Sequence, residues 1–176
     1  MRLRWVWAGS LGLAVTSMIA VGQAAPKEIK VRLVNSYGQD AGYAIFKTVK
    51  KGVKVKLELK NLRFGVHAVH IHENPVCDRP DFEGAGRHFN PSGKEHGFLN
   101  PMGHHNGDFP AGISIGEDHT GEAAFVLKEI SLDPKAPDSL FLHGGTSIVV
   151  HVRQDDQKTD PSGDSGNRIA CGVIQP

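Results

Sequence analysis

The histidines of this 176-residue chain are concentrated in one stretch, and they limit its fold more than any other feature does. Seven of the ten lie within residues 65–110. The stretch opens with a His-x-His pair, His70 and His72, and continues through linkers rich in Gly, Pro and Asn. Imidazole is the commonest metal-binding side chain, because its neutral form offers a lone pair near physiological pH. The stretch therefore predicts a metal site, provided that a further ligand comes from elsewhere in the chain.

The N-terminal segment, residues 1–25, is predicted to be a signal peptide. Arg2 and Arg4 precede an apolar run, residues 5–21, and small residues follow at the positions that a signal peptidase reads. The alternative is an uncleaved membrane anchor, for which the run is short and diluted by Gly and Ser. Residues 26–176 then form one domain. It is expected in the periplasm or outside the cell, without stable membrane association after cleavage.

Charge and cysteine content narrow the class of protein further. The 20 basic and 19 acidic residues give a net charge of +1, which implies no nucleic-acid partner. Cys77 and Cys171 are the only cysteines and form no C-x-x-C motif. Because an exported chain reaches an oxidising compartment, a structural disulfide is the default expectation. Closing so long a loop contributes on the order of 4 kcal/mol in the chain-entropy model.

Hydrophobic residues alternate with charged ones along several segments. Ile29, Val31 and Leu33 alternate in this way, and so do the apolar residues of 53–59, where lysines fill most positions between. Such alternation predicts half-buried antiparallel strands, and we interpret the lysines as a solvated strand face. No window shows a clear helical period. Short strands and two long loops therefore predict an all-β sandwich or barrel. The other predicted strands are 44–46, 67–72, 121–127, 147–152 and 169–174, and the loops are 73–110 and 153–168.

The metal-binding residues divide into two sets by their position in the chain. His70 and His72 leave the same face of one strand, because strand side chains alternate. With His151, from the segment SIVVHV, they form an all-nitrogen set that suits copper cycling between two oxidation states. A single loop supplies three imidazoles and a carboxylate, which together suit zinc. That second set is His88, His96, His105 and Asp108.

These motifs resemble the copper/zinc superoxide dismutases, in particular the exported bacterial kind. The resemblance extends from about Val31 to Ile174 in the family order. It implies a Greek-key β-barrel or sandwich of about eight antiparallel strands. It also implies dismutation of superoxide to O2 and H2O2 by a redox-cycling copper beside a structural zinc. The matching segments are GVHAVHIHENPVC, GAGRHFNP, KEHG, HNGD, SIVVH, the DD of RQDD, and GNRIACGVI.

The same resemblance assigns roles to individual residues. Copper would be held by His70, His72, His88 and His151, and zinc by His88, His96, His105 and Asp108. His88 would bridge the two metals and supply a proton, and Arg168 would guide superoxide to copper. Asp155 would join a copper histidine to a zinc histidine, and the disulfide between Cys77 and Cys171 would tie the long loop to the last strand. Weaker assignments are His104 as an alternative zinc ligand, and Arg153 and Lys158 as further guiding cations.

The alternative function is that of a non-catalytic copper- and zinc-binding module on the same fold. Transfer of copper usually employs thiolate or methionine ligands, which this set lacks. A zinc hydrolase is disfavoured because the chain has no H-E-x-x-H motif. The oligomeric state stays open between a monomer and a homodimer.

Overall fold

The computed structural model describes residues 25–176, which form an all-β fold. Two short 3-10 turns, Glu83–Ala85 and Leu142–Gly144, lie in the connections. No helix of residues 25–176 is long and apolar enough to cross a membrane. Residues 1–24 of the predicted signal peptide lie outside the described range. The strands are β1 (Glu28–Asn35), β2 (Asp40–Val49), β3 (Gly52–Lys60), β4 (Gly65–His67), β5 (Val69–His72), β6 (Ile113–Ile115), β7 (Thr120–Leu127), β8 (Thr146–His151) and β9 (Arg168–Ile174).

Seven of these strands form one curled antiparallel sheet. Its order is β5-β8-β9-β1-β2-β3-β7, and β4 pairs separately with β6. Strands far apart in sequence lie side by side at β5 and β8, at β9 and β1, and at β3 and β7. Long crossover connections of this kind distinguish a Greek-key arrangement from a simple series of hairpins. The predicted all-β class is confirmed, with nine strands in the described residues where about eight were expected.

The period-two alternation of the sequence is confirmed by burial. Val31 and Leu33 of β1 are buried, and so are the apolar residues of β3, whereas the charged residues between them are partly or fully exposed. The sequence pattern missed β6, because three residues are too few to show a period. It also joined β4 and β5 into one strand, which the structure divides at Ala68.

The free edge of β5 is covered by the long loop between β5 and β6. Phe89 N donates to the Ile71 carbonyl at 2.8 Å, and Ile71 N donates to the Gly107 carbonyl at 2.9 Å. Isolated bridges also pair His72 with His88 and His70 with Asp108. The loop therefore lies beside β5 like a further strand, which fixes its position despite its lack of periodic sequence.

The expected disulfide joins Cys77 of this loop to Cys171 of β9. The two residues are 94 apart in sequence, and their Cα atoms are 5.6 Å apart. Cys171 is fully buried and packs in a small cluster with Phe82, Ala85 and Val149. The disulfide and this cluster together hold the first part of the loop against the barrel.

Removing the disulfide should lower the stability of the protein. We expect the double variant Cys77→Ala/Cys171→Ala to lose about 4 kcal/mol of unfolding free energy, because its unfolded chain is no longer closed into a long loop. Urea unfolding followed by circular dichroism measures this difference. A reductant should shift the wild-type midpoint and leave that of the double variant unchanged. Equal midpoints for oxidised and reduced wild type would contradict the prediction.

Candidate metal centre

Four histidines converge at the end of the barrel where β5 and β8 lie side by side. His70 and His72 come from β5, His151 ends β8, and His88 comes from the long loop. One ring nitrogen of each lies within 4.8 Å of those of the other three, and all four side chains are buried. His72 Nε2 and His151 Nε2 are 3.3 Å apart. The structure thus brings together all four residues that the sequence assigned to copper.

The outward-facing ring nitrogens of three of these histidines are held by oxygen acceptors. His70 Nε2 lies 2.7 Å from Asp155 Oδ2. His72 Nδ1 lies 3.0 Å from the Gly86 carbonyl, and His151 Nδ1 lies 3.0 Å from the Gly166 carbonyl. An oxygen acceptor fixes the proton of a neutral imidazole on the nitrogen that faces it, and leaves a lone pair on the other nitrogen. The remaining nitrogens, His70 Nδ1, His72 Nε2 and His151 Nε2, therefore carry the lone pairs.

A second group of ligand atoms lies next to the first. His88, His96 and Asp108 belong to it, together with His70. His88 Nδ1 is 2.9 Å from Asp108 Oδ1, and His96 Nδ1 is 3.1 Å from Asp108 Oδ2. His105 is not within this group, but its Nδ1 lies 3.3 Å from His88 Nδ1. The sequence-assigned zinc residues thus surround the carboxylate of Asp108, with His70 as an additional neighbour.

Three buried ring nitrogens of the two groups make no hydrogen bond within residues 25–176. They are His70 Nδ1 and His88 Nε2 in the first group and His96 Nδ1 in the second, whose 3.1 Å approach to Asp108 Oδ2 lacks hydrogen-bond geometry. An unpartnered buried nitrogen is unfavourable by about 1–3 kcal/mol, and native proteins rarely leave several together. Two metal ions, one in each group, would bind these lone pairs. The residues therefore fit the copper and zinc that the sequence predicts.

The histidines of the two groups differ in the direction in which their pKa values are shifted. Burial, followed by repulsion between the clustered imidazoles, holds the pKa of His70 and of His72 well below its usual value. Burial likewise lowers the pKa of His151 to about 3. Burial also opposes protonation of His96, but the carboxylates of Asp108 and Asp155 outweigh it and raise that pKa to about 9. The imidazoles of His70, His72 and His151 are thus neutral and offer lone pairs, whereas His96, beside two carboxylates, favours positive charge.

Arg168, the first residue of β9, lies beside the histidine cluster. Its Nη2 donates to the Gly86 carbonyl at 2.6 Å, and its Nη1 donates to the Phe82 carbonyl. The Gly86 carbonyl is also the acceptor for His72 Nδ1. One backbone oxygen therefore positions both a metal-binding imidazole and the guanidinium.

The second long loop, between β8 and β9, contributes Asp155. Its Oδ2 binds His70 and its Oδ1 lies 3.0 Å from His96 Nε2, so one carboxylate joins the two groups. A Cβ atom at Gly163 would lie 1.9 Å from Asp155 Oδ1, so only glycine leaves room there. Arg153 of the same loop is paired with Asp164 at 2.7 Å.

Other histidines have structural contacts instead. His104, the alternative zinc ligand, stacks on Phe98 with ring centroids 3.8 Å apart, and its Nδ1 donates to the His105 carbonyl. His67 Nδ1 lies 2.8 Å from the His151 carbonyl, so it supports the backbone of that residue.

The sequence reasoning missed several contributors to the site. The carbonyls of Gly86 and Gly166 position two imidazoles, and no sequence signal distinguishes one backbone carbonyl from another. Asp160 was also missed, although its Oδ1 accepts the backbone N–H of His96 at 2.9 Å. The only sequence signal for Asp160 is its position next to a proline in a polar loop.

Known proteins are similar to this chain in sequence and in fold. The family model for copper/zinc superoxide dismutase (SODC) matches residues 41–174. "Superoxide dismutase [Cu-Zn] 1" of Aquifex aeolicus is 43% identical over 146 residues, which cover 81% of this chain and 85% of that protein. "Superoxide dismutase [Cu-Zn]" of Caulobacter vibrioides is 41% identical over 78% of this chain and 80% of its own.

Solved structures of a superoxide dismutase and of a SOD-like protein also match this chain. The crystal structure of a SOD-like protein from Bacillus subtilis matches with a TM-score of 0.78 and 39% identity, covering 82% of this chain and 97% of that one. The Cu/Zn superoxide dismutase from Brucella abortus matches with a TM-score of 0.67 and 28% identity over 84% and 99% of the two chains. A family model that spans most of the sequence, relatives about 40% identical over most of both chains, and matching solved structures lead to one conclusion: the chain belongs to the copper/zinc superoxide dismutase family.

Proposed function

We propose that this family member dismutes superoxide to O2 and H2O2 at a copper and a zinc ion joined through His88. The observation that carries the proposal is the set of buried ring nitrogens without hydrogen-bond partners at His70, His88 and His96. Copper would be held by His70, His72, His88 and His151. Zinc would be held by His88, His96, His105 and Asp108.

His88 is suited to the bridging role because its two nitrogens face different groups. Its Nε2 is buried without a partner in the first group, while its Nδ1 contacts Asp108 and His105 in the second. Copper would supply the change of oxidation state, and zinc, which has no redox chemistry, would hold the bridge and the loop. His88 would also hold a proton at Nε2, next to the position at which peroxide forms.

Arg168 is the residue that we assign to guiding and anchoring the superoxide anion. Its guanidinium is held beside His72 through the shared Gly86 carbonyl and keeps donors for an anion. Electrostatic steering of substrate is already established for superoxide dismutases as a class. Arg153 is less suited, because its charge is balanced by Asp164.

We assign the protein to an extracytoplasmic compartment, which it would protect against superoxide. A disulfide between buried and loop residues is stable in an oxidising compartment, and the chain forms one between Cys77 and Cys171. The sequence of residues 1–25, with its basic start and apolar run, supports export.

The whole chain, expressed in a bacterial host with copper and zinc, should be recovered from the periplasm with an N-terminus near residue 26. It should contain copper and zinc in equal amounts and consume superoxide rapidly. Elemental analysis, intact mass and a superoxide assay on one preparation measure these properties. Zinc alone without activity would favour the non-catalytic binding module and overturn the proposal.

Replacing Arg168 by alanine should slow superoxide consumption without removing the metals. We expect kcat/KM to fall by about ten-fold or more and to lose part of its dependence on ionic strength, because a positive charge at the site is gone. The matched control is Arg153→Ala, which removes a paired arginine from the neighbouring loop. Metal content should be unchanged in both variants. Equal rates for Arg168→Ala and wild type would remove Arg168 from this role.

Asp155 is a positioning residue, and its replacement should weaken metal binding. The variant Asp155→Asn removes one of the two oxygen acceptors that orient His70 and His96, so metal affinity should fall by about 10–100-fold. Competition with a chelator, followed by elemental analysis, measures this loss. Asp164→Asn is the control, because Asp164 lies in the same loop and contacts Arg153 instead. Identical metal retention in Asp155→Asn and Asp164→Asn would contradict the assignment.

A further inference from the structure

Six lysines surround the end of the barrel formed by the hairpin between β2 and β3. Lys50 and Lys51 form the turn, and Lys47 and Lys54 lie in the flanking strands. Gly52 lies against the backbone of Lys128, since a Cβ atom there would come within 2.8 Å of Lys128 Cα. The Lys27 carbonyl accepts the backbone N–H of Thr48. We call this set, Lys27, Lys47, Lys50, Lys51, Lys54 and Lys128, the lysine end; all six side chains are exposed.

The lysine end is not balanced by acidic residues. Of these six lysines, only Lys47 has an ion pair within residues 25–176; its partner is the exposed Glu28, at 3.7 Å. Glu129, which follows Lys128, is bound instead by Lys94 at 3.0 Å. The sequence of residues 1–24 contains no Asp or Glu. The other five lysines therefore have no ion pair in the part of the chain that the structure describes.

Lysines elsewhere on the same strands have partners. Lys30 lies 4.0 Å above the Tyr43 ring, Lys56 pairs with Glu58 at 2.6 Å, and Lys60 pairs with Asp40 at 3.0 Å. Within residues 25–176, this contrast separates the paired lysines of these strands from the lysine end, in which Lys47 alone has an ion pair. The interpretation of all of them as a solvated strand face does not account for that division.

Two lysines of this end face each other directly. Lys47 and Lys54 are opposite residues of the antiparallel ladder between β2 and β3. Like charges in directly opposite positions destabilise a sheet, whereas opposite charges stabilise it. An anionic partner would relieve this repulsion.

The lysine end is remote from Arg168. Ser36, in the turn that precedes the other end of β2, donates its backbone N–H to the carbonyl of Ile169, the neighbour of Arg168. The ten residues of β2 therefore separate the two regions by about 30 Å. Fields from exposed charges are largely screened beyond about 8 Å at physiological ionic strength. The lysine end thus contributes little to steering superoxide and requires another explanation.

We propose that the lysine end binds the anionic phospholipid headgroups of a membrane surface. Lysines clustered on a surface bind anionic lipid electrostatically. They come here from three separate segments around the end of the barrel, which suits a plane more than a single extended chain. The first strand, β1, also begins at this end, directly after Lys27. Binding would leave Arg168 facing away from the membrane, and it would be reversible, unlike an anchor.

Vesicle binding tests the proposal on the metal-loaded protein recovered after export. The protein should sediment with phosphatidylglycerol-containing vesicles at low ionic strength, and much less with vesicles of phosphatidylcholine alone. Each lysine should contribute about five-fold to the affinity for anionic vesicles, so the variant Lys50→Gln/Lys51→Gln/Lys54→Gln should bind these vesicles about 100-fold more weakly. Salt should weaken wild-type binding. Superoxide consumption in vesicle-free solution should be the same in variant and wild type.

The matched control removes three charges with partners, in Arg32→Gln/Lys56→Gln/Lys60→Gln, and should keep wild-type vesicle binding. Arg32, like Lys60, pairs with Asp40, at 3.6 Å. Lys54→Gln alone should weaken vesicle binding while its melting temperature is unchanged or raised, because it removes the Lys47–Lys54 repulsion. Equal loss of binding in the two triple variants would overturn the proposal, and so would equal binding to neutral vesicles. Retention by a soluble polyanion such as polyphosphate, without vesicle binding, would assign the lysine end to a different partner and also overturn it.

Discussion

Both groups of the metal centre depend on one buried carboxylate, that of Asp155. An isolated carboxylate is strongly disfavoured in a protein interior, so it must be satisfied by donors. Here one oxygen is bound to His70 and the other to His96, and the backbone N–H of Gln157 donates to Asp155 as well. The second loop can therefore close only when histidines from β5 and from the first loop are both in place. Assembly of the two groups and closure of the loop are one event.

This dependence explains why an irregular loop can hold a precise site. The first loop has no periodic sequence, yet it is fixed along β5 by backbone hydrogen bonds, at Cys77 by the disulfide, and at His96 by Asp155. Each attachment lies on a different element of the barrel. Rigid strands position the first ligands, and the loop is then positioned by the ligands and their acceptors.

Much of this arrangement could be predicted from the sequence, and the reasons differ by residue. Apolar residues alternate with charged ones in β1 and β3 because only one face of the sheet is buried, so the alternation predicts strands. The same alternation of strand side chains places His70 and His72, two residues apart, on one face. The second-loop carboxylate at Asp155 came from resemblance to a family. The backbone carbonyls of Gly86 and Gly166 could not be predicted, because every residue carries a carbonyl and only the folded path of a loop selects one. The position of Lys128 beside Gly52 of the hairpin depends on strand order, which alternation does not reveal.

The way in which Arg168 is held has a consequence for how the family can vary. Its guanidinium is bound by two main-chain oxygens, those of Phe82 and Gly86, and by no side chain that mutation could remove. Substitutions in that part of the loop therefore leave the anchor intact as long as the path of the backbone is kept. Insertions and deletions between Cys77 and His88 would change which carbonyls face the arginine. Over evolutionary time, the exposed positions of this segment should tolerate changes of residue type more readily than the segment tolerates changes of length, whereas the buried Phe82 and Ala85 and the positive-φ Gly86 are restricted in type as well.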